Sequence, residues 1–346
     1  MPNAMSQTPK QSAEGPVPTS TDVARLAGVS RATVSYVLNN TSAVRISEPT
    51  RRRVREAAEE LGYVPHAAAR SLRAGHTRIV LLPTAHIPVG PLYGQFLNEI
   101  QWALRALDYT VVQYGSIGLG ADEAARAWAE LRPVAVLSLG EIALTAHGVQ
   151  VLKRSGAKAV ITLGPQRVEG AHSLVMDQRA IGVAAAEHLL EQGRRGIGVV
   201  VPAEPGLELF SKPRLAGVRK AVAGAGAGAR VEALTMAYDE ESAAGLAARW
   251  RDLGLDAVYA YNDEYAQLLM RALQDAGVDV PGECAVVGAD DLLLGKLLRP
   301  RLSTVHVEMP TGREMAELVD RVVRDPGGAV ERHDLMAARA VPRESS

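Results

Sequence analysis

Residues Ser20–Leu38 read STDVARLAGVSRATVSYVL, two short helical patterns separated by the break Gly28-Val29-Ser30. Ser20 or Thr21 can cap the first helix, and Asp22 then faces the positive end of its dipole. Val23, Leu26 and Ala27 supply an apolar stripe at helical spacing. Gly28 suits the left-handed residue that ends a helix, and Ser30 can cap the next one. Val34, Val37 and Leu38 return to the same small core. The opposite face carries Arg31, Ala32, Ser35 and Tyr36, with Asn39-Asn40 at its end. This pattern predicts a helix-turn-helix whose second helix is free to lie in a DNA major groove. The plainer alternative is an ordinary αα-hairpin inside a larger helical domain.

Composition bounds what surrounds that stretch. A chain of 346 residues, 47% hydrophobic and 22% charged, predicts two or three globular domains. Its single cysteine, Cys284, excludes an internal disulfide framework and suits a reducing cytoplasm. It reads as a small buried residue of a strand rather than a nucleophile. No apolar run approaches the about 18 residues of a membrane span, and no charged-then-apolar leader pattern opens the chain. A cytoplasmic location is expected, with no membrane partner. Net charge is −1 overall, yet residues 19–78 hold ten arginines against five acids. A basic head on an acidic body is the electrostatic footprint of a DNA-binding module joined to something else.

Residues 1–18 are rich in Pro, Ser, Gln and Thr without an apolar period, and read as a disordered tail. Beyond the loop Asn39–Ile46, Ser47-Glu48-Pro49 starts a third helix with Val54, Ala57, Ala58 and Leu61 as its core face and Gly62 as its stop. Arg51, Arg52, Arg53 and Arg55 lie mostly outside, as a solvated face or as phosphate contacts. Residues 66–76 read as one short helix with a single large apolar residue, Leu72, between Arg70 and Arg73. From Ile79 onward, short buried strands alternate with amphipathic helices. The expected strands are 79–82, 110–113, 134–137, 159–162, 173–176, 197–201, 257–260 and 284–287. The expected helices are 93–107, 121–131, 148–155, 179–192, 213–223, 241–252, 264–276 and 311–323. That alternation predicts an α/β body of two doubly wound parallel-sheet subdomains behind an all-α head.

The chain closely resembles the lactose-repressor/galactose-repressor family of bacterial transcription factors over about residues 19–335. The most specific segments are DVARLAGVSRATVSYVLN (22–39), SEPTRRRVREAAEELGYVP (47–65) and AAARSL (67–72). The body adds VMDQRAIG (175–182), HLLEQGRRGIG (188–198), RLAGVRKAV (214–222), YND (261–263) and VVGADD (286–291). The resemblance implies a homodimer on a near-palindromic operator in double-stranded DNA. It also implies a periplasmic-binding-protein-like body that holds a sugar-like or related small-molecule effector between its subdomains.

By the same resemblance, Arg31, Ala32 and Tyr36 fall on base-reading positions. Thr21, Thr33 and Ser35 suit phosphate contacts, and Asn39 joins the DNA-binding set. Residues 66–76 match the family's hinge helix, with Ala69, Arg70, Leu72 and Arg73 at the DNA. A leucine wedge there would unstack a base step and bend the duplex. In the cleft, Arg214, Asn262 and Asp290 occupy ligand-contact positions, with Asp177 and Asp263 close by and Leu92 and Tyr93 where relatives stack aromatic residues on a ring. Such a set can fork onto vicinal hydroxyls or a charged small molecule. A structural Arg214–Asp290 ion pair is the competing reading, and Asp291 is expected to brace its loop. The loop PTAHIPVGPLY (83–93) is long and lacks the customary acid at Thr84, and Leu163-Gly164-Pro165 lacks the usual Asp-Arg. Polar groups mainly on one wall fit a smaller or less polar effector, or a regulator that has lost effector response.

The expected domains are the tail 1–18, the DNA-binding head 19–65, the hinge 66–76, the effector-binding and dimerisation body 77–338 and a tail 339–346. No GxGxxG follows the first strand, no Walker lysine appears and no His/Cys/Asp cluster has metal spacing. A catalytic role, a cofactor and a metal are therefore not expected. A solute-binding protein would share the body but would need export and would not need residues 20–72.

Overall fold

The computed structural model describes residues 17–38, 44–64, 77–84, 90–116, 118–139, 144–226, 228–335 and 338–346. The chain divides into two compact units, Met1–Thr77 and Arg78–Ser346. The hinge residues Ala69, Arg70, Leu72 and Arg73, together with Asn39 and the first 16 positions, lie outside the described residues.

The head is built from α1 (Ser20–Ala27), α2 (Arg31–Leu38) and α3 (Glu48–Glu60). Their shared core is Val23, Val34, Val37 and Val54, each at most 1% exposed, with Ala24, Ala27, Ala57 and Ala58 around them. Two details differ from the sequence reading. The cap of α1 is Thr19, not Ser20 or Thr21. Its backbone N–H donates to Asp22 Oδ2 at 2.9 Å, and Asp22 N–H returns to Thr19 Oγ1 at 3.4 Å, a reciprocal box. Leu26 is 47% exposed and Ala24 takes its place inside, because positions 23, 24 and 27 share the helix face turned to the core and position 26 lies off it. Gly28 ends α1 at φ 65°, and Ser30 Oγ accepts from Thr33 N–H at 3.1 Å. Ser47 caps α3 by position only, its hydroxyl being bonded to Thr50 Oγ1 at 2.9 Å.

The body contains two six-stranded sheets. The first comprises β1 (Ile79–Thr84), β2 (Thr110–Gly115), β3 (Ala135–Ser138), β4 (Ala159–Gly164), β5 (His172–Met176) and β11 (Arg332–Leu335). Its order is β2-β1-β3-β4-β5-β11, parallel throughout. The second comprises β6 (Gly196–Pro202), β7 (Arg230–Met236), β8 (Ala257–Tyr259), β9 (Ala285–Ala289), β10 (Ser303–Val307) and β12 (Ala338–Val341). Its order is β7-β6-β8-β9-β10-β12, parallel except for the antiparallel edge strand β12. Both orders reverse direction beside their first strand, so crevices open at the carboxyl ends of β1/β3 and β6/β8.

The flanking helices are α4 (Pro91–Ala106), α5 (Ala121–Glu130), α6 (Ala146–Arg154), α7 (Gln178–Glu191), α8 (Glu208–Gly224), α9 (Glu240–Ala248), α10 (Trp250–Leu253), α11 (Asp263–Asp275) and α12 (Gly312–Arg324). Although α12 follows the second sheet in sequence, its apolar face completes the first. Met315, Ala316, Val319 and Val322 cluster with Val80, Ile100, Leu137 and Ile161. The chain thus crosses between subdomains after β5, after β10 and between β11 and β12, and the two subdomains are interwoven.

Four strands, β7, β10, β11 and β12, were not among those expected. The sequence signal for β10 is masked by Ser303 and Thr304. Both are at most 1% exposed and satisfied by specific partners: Ser303 Oγ accepts from Arg343 N–H at 2.8 Å, and Thr304 Oγ1 donates to Asp263 Oδ1 at 2.6 Å. The segment 339–346 is no tail. It begins inside β12, and Ser345 beyond it is fully buried, its carbonyl accepting from Val286 N–H at 2.7 Å. The expected helix 241–252 is broken at Arg249 into α9 and α10. Cys284 is fully buried, and burial pushes its thiol well above the usual range.

Candidate functional site

On the head, the outward face of α2 presents Arg31, Ala32 and Tyr36 as exposed residues and Thr33 and Ser35 as half-buried ones. Thr21 is exposed in the first turn of α1. Arg31 makes no ion pair among the described residues, and neither do Arg51 and Arg53 of α3. Arg52 and Arg55 lie at 3.8 Å and 3.9 Å from Glu56 and Glu48, while Arg25 is paired with Asp22. Exposed pairs at such distances are weak, so these arginines are available to phosphates at little cost.

In the body, the strand ends converge on a cavity of about 130 Å3 between the two sheets. One wall is apolar among the described residues: Gly90, Leu92, Tyr93, Leu139, Leu163 and Gly164, with Met176 and Met309 from two of the crossings. The other wall carries Gln178, Arg214, Tyr261, Asn262 and Asp290 beside Leu207 and Phe210. Five of the seven cleft residues expected from sequence, Leu92, Tyr93, Arg214, Asn262 and Asp290, are brought together here.

Arg214 is 7% exposed and held from three sides. Its Nε donates to Gln178 Oε1 at 2.8 Å, its Nη1 donates to Tyr261 O at 2.6 Å, and its guanidinium lies 4.7 Å from the Tyr261 ring centroid. The backbone beneath it is equally constrained. A Cβ added to Gly182 of α7 would lie 1.9 Å from Arg214 O, and one added to Gly217 of α8 would lie 2.2 Å from Arg179 O. Two glycines therefore let α7 and α8 touch backbone to backbone, and so set Gln178 against Arg214.

Asp290 follows β9 at φ 102°, a conformation that L-residues with side chains rarely adopt, and such strain concentrates at functional sites. Burial raises its carboxyl to about 6, with Arg214 pulling the other way. It makes no ion pair with Arg214 within 4.0 Å and accepts no hydrogen bond among the described residues. The structural ion-pair reading is thereby replaced by two groups that face the same cavity separately.

Asp177 and Asp263 do not line the cleft. Asp177 is exposed and caps α7, accepting from Arg179 N–H at 2.9 Å, so that the next residue, Gln178, reaches the site instead. Asp263 is fully buried behind the cleft and accepts from Thr304 Oγ1 at 2.6 Å and Leu292 N–H at 2.7 Å. Asp291 braces its loop, as expected, through Arg343, Lys296 at 3.7 Å and His306 at 3.5 Å. Gln178, Tyr261 and Phe210 were missed. The first two adjoin residues already singled out, whereas Phe210 lies in the turn of α8 before Pro213, ahead of the helix 213–223 that the sequence predicts.

Burial also raises the Asp263 carboxyl to about 7, against the opposing pull of Thr304 and the Leu292 amide. A carboxyl whose folded pKa exceeds its unfolded value favours folding most below the unfolded value, near 4, and loses that contribution as pH rises through 7. Asp263→Asn is expected to flatten the fall in melting temperature between pH 5 and pH 7.5 relative to wild type. His172 and His188, both lowered by burial, slope the other way and are common to both proteins. Parallel melting curves for the two across that range would refute the assignment.

Residues 19–66 match the family described as "Bacterial regulatory proteins, lacI family", and residues 186–346 match "Periplasmic binding protein-like domain". The HTH-type transcriptional regulator GalR of Escherichia coli (strain K12) is 31% identical over 307 residues, covering 86% of this chain and 87% of that protein. The chain belongs to the LacI family of bacterial regulatory proteins. The HTH-type transcriptional repressor PurR of Vibrio campbellii is 29% identical over 88% of this LacI-family chain and 91% of its own. Among solved structures, the transcriptional regulator CelR–cellobiose complex is 26% identical, with TM-score 0.62, over 95% of this chain and all of that one. The fold is shared with the lac repressor dimer bound to operator and the anti-inducer ONPF, at TM-score 0.75 and 24% identity over 94% and 98% of the two chains. Both of these relatives are named as HTH-type transcriptional regulators or repressors. No helix among the described residues is long and apolar enough to cross a membrane, and no group of three or more His, Cys, Asp or Glu among them could hold a metal ion.

Proposed function

We propose that the chain is a cytoplasmic repressor that binds a near-palindromic operator as a homodimer and responds to a small effector held in the cleft. The observation that carries this reading is the pairing, on one chain, of a basic helix-turn-helix face with a cleft whose one wall is polar and strained at Asp290. Thr21, Arg31, Ala32, Thr33, Ser35, Tyr36 and Asn39 are assigned to DNA, with Ala69, Arg70, Leu72 and Arg73 of the hinge. Arg214, Asn262, Asp290, Leu92 and Tyr93 are assigned to effector, now joined by Gln178 and Tyr261. The test is recovery of bound DNA across the genome. A recurrent two-fold motif, lost in Arg31→Ala, is the expected outcome, and fragments without a shared motif would overturn the reading.

The homodimer is supported by three leucines around one short turn of helix at Leu294–Lys296. Leu293, Leu294 and Leu297 are 70%, 59% and 64% exposed, an apolar surface that a lone soluble chain rarely leaves in water. The double variant Leu293→Lys/Leu297→Lys is expected to sediment as a monomer at micromolar concentration where the wild type is dimeric. Unchanged sedimentation would remove this surface from the interface.

One observation favours a second reading, an effector-independent regulator. The cavity of about 130 Å3 is smaller than the roughly 300 Å3 at which ligand pockets usually begin. The two readings differ in whether substitutions in the cleft change operator binding only when cell extract metabolites are present.

A further inference from the structure

Two helices that start in different subdomains meet at the rim of the cleft. The first, α4, begins at Gly90 with proline in its first turn, no side-chain cap and no acid in that turn. The second, α11, begins at Asn262, whose Oδ1 accepts from Tyr265 N–H at 3.0 Å, and carries Glu264 in its first turn. A Cβ added to Gly90 would lie 2.9 Å from Glu264 Oε2 and 3.8 Å from Asn262 Nδ2. The Glu264 carboxylate of the second subdomain therefore lies against the start of α4 in the first, and only a residue without a side chain at position 90 allows it to come so close.

We infer that Glu264 is a cross-cleft latch, its carboxylate supplying from the second subdomain the negative charge that the α4 N-terminus lacks in its own sequence. The physical reason is the partial positive charge of a helix start, which favours an anion placed within its first turn. Burial alone raises the Glu264 carboxyl above its usual range, and the Asn262 amide opposes that rise. The α4 dipole acts in the same sense as the amide and favours the charged, seated form. Asn262 and Gly90 both line the cavity, so a ligand that engages the Asn262 amide bears directly on the latch. The latch concerns how the subdomains hold together and goes beyond the assignment of an effector.

The test is hydrogen–deuterium exchange on the full-length protein without added ligand, comparing wild type, Glu264→Gln, Gly90→Ala and the combined variant. Gly90 has ordinary extended backbone angles, φ −73° and ψ 167°, so alanine is tolerated there and displaces only the end of the Glu264 side chain. Each single variant is expected to speed exchange at residues 92–97 about two- to five-fold, and the combined variant no further, since both remove one contact. Unchanged exchange in Glu264→Gln, or effects that multiply in the combined variant, would overturn the latch. So would acceleration spread equally over α5 and α12, which would mark general loosening. Because no ligand enters the experiment, its failure would leave the regulator reading untouched.

Discussion

Gly182→Ala is expected to destabilise the body by about 3 kcal/mol or more, the upper range for forcing an extra methyl into a packed site. The added carbon would sit 1.9 Å from Arg214 O and 2.8 Å from Arg214 C, both backbone atoms that no rotamer change can move. Relief requires α7 and α8 to separate, which also takes Gln178 away from Arg214. Thermal melting checks this, with Gly245→Ala of α9 as the contrast. A Cβ at Gly245 meets nothing within 4 Å, so alanine there should stabilise by about 0.5–1 kcal/mol through helix propensity alone. Equal melting temperatures for Gly182→Ala and wild type would mean that the close helix contact is not as drawn.

Arg214→Ala is expected to abolish the effector response while leaving operator binding intact. The buried guanidinium is fixed by Gln178 and Tyr261 and lines the cleft beside Asn262 and Asp290. Losing charged hydrogen bonds of about 1.5–3 kcal/mol each predicts on the order of a 100-fold weaker effector. Asp290 would also lose the cation that opposes its rise, so its carboxyl would move further above about 6. Arg214→Lys should rescue poorly, because an ammonium cannot reproduce the fork held between Gln178 and the Tyr261 carbonyl. The measurement is operator affinity with and without the metabolite fraction that releases wild type. Release of Arg214→Ala at the same concentration would sink the assignment.

The head was readable nearly to the residue, since its helices are specified by local signals: Gly28 at the break, valines at helical spacing and arginines outside. Even so, the cap moved from Ser20 or Thr21 to Thr19, because the helix start depends on which hydroxyl can exchange bonds with Asp22. In the body, buried apolar runs announced the central strands. The edges were less legible. β7 and β11 carry charged residues at sheet margins where one side meets water, and β10 hides its strand character behind Ser303 and Thr304. Polar groups of this kind become strand residues only when a distant partner, here Asp263 or the Arg343 amide, satisfies them.

For the site, sequence alone determined the residue types and their order: Arg214, Asn262 and Asp290 at strand and helix ends of a doubly wound body, behind a basic helix-turn-helix. Tertiary structure decided which of the carboxylates faces the cleft. Asp177, Asp263, Asp290 and Asp291 look alike in a chain of letters, yet one caps a helix, one is buried with Thr304, one braces Arg343 and one is left facing the cavity at φ 102°. Apart from the local cap at Asp177, the difference arises from contacts between residues tens of positions apart, such as Asp291 with Arg343 and Asp263 with Thr304. Local propensity carries no record of those distances, and only the closing of two sheets around one cleft brings them into register.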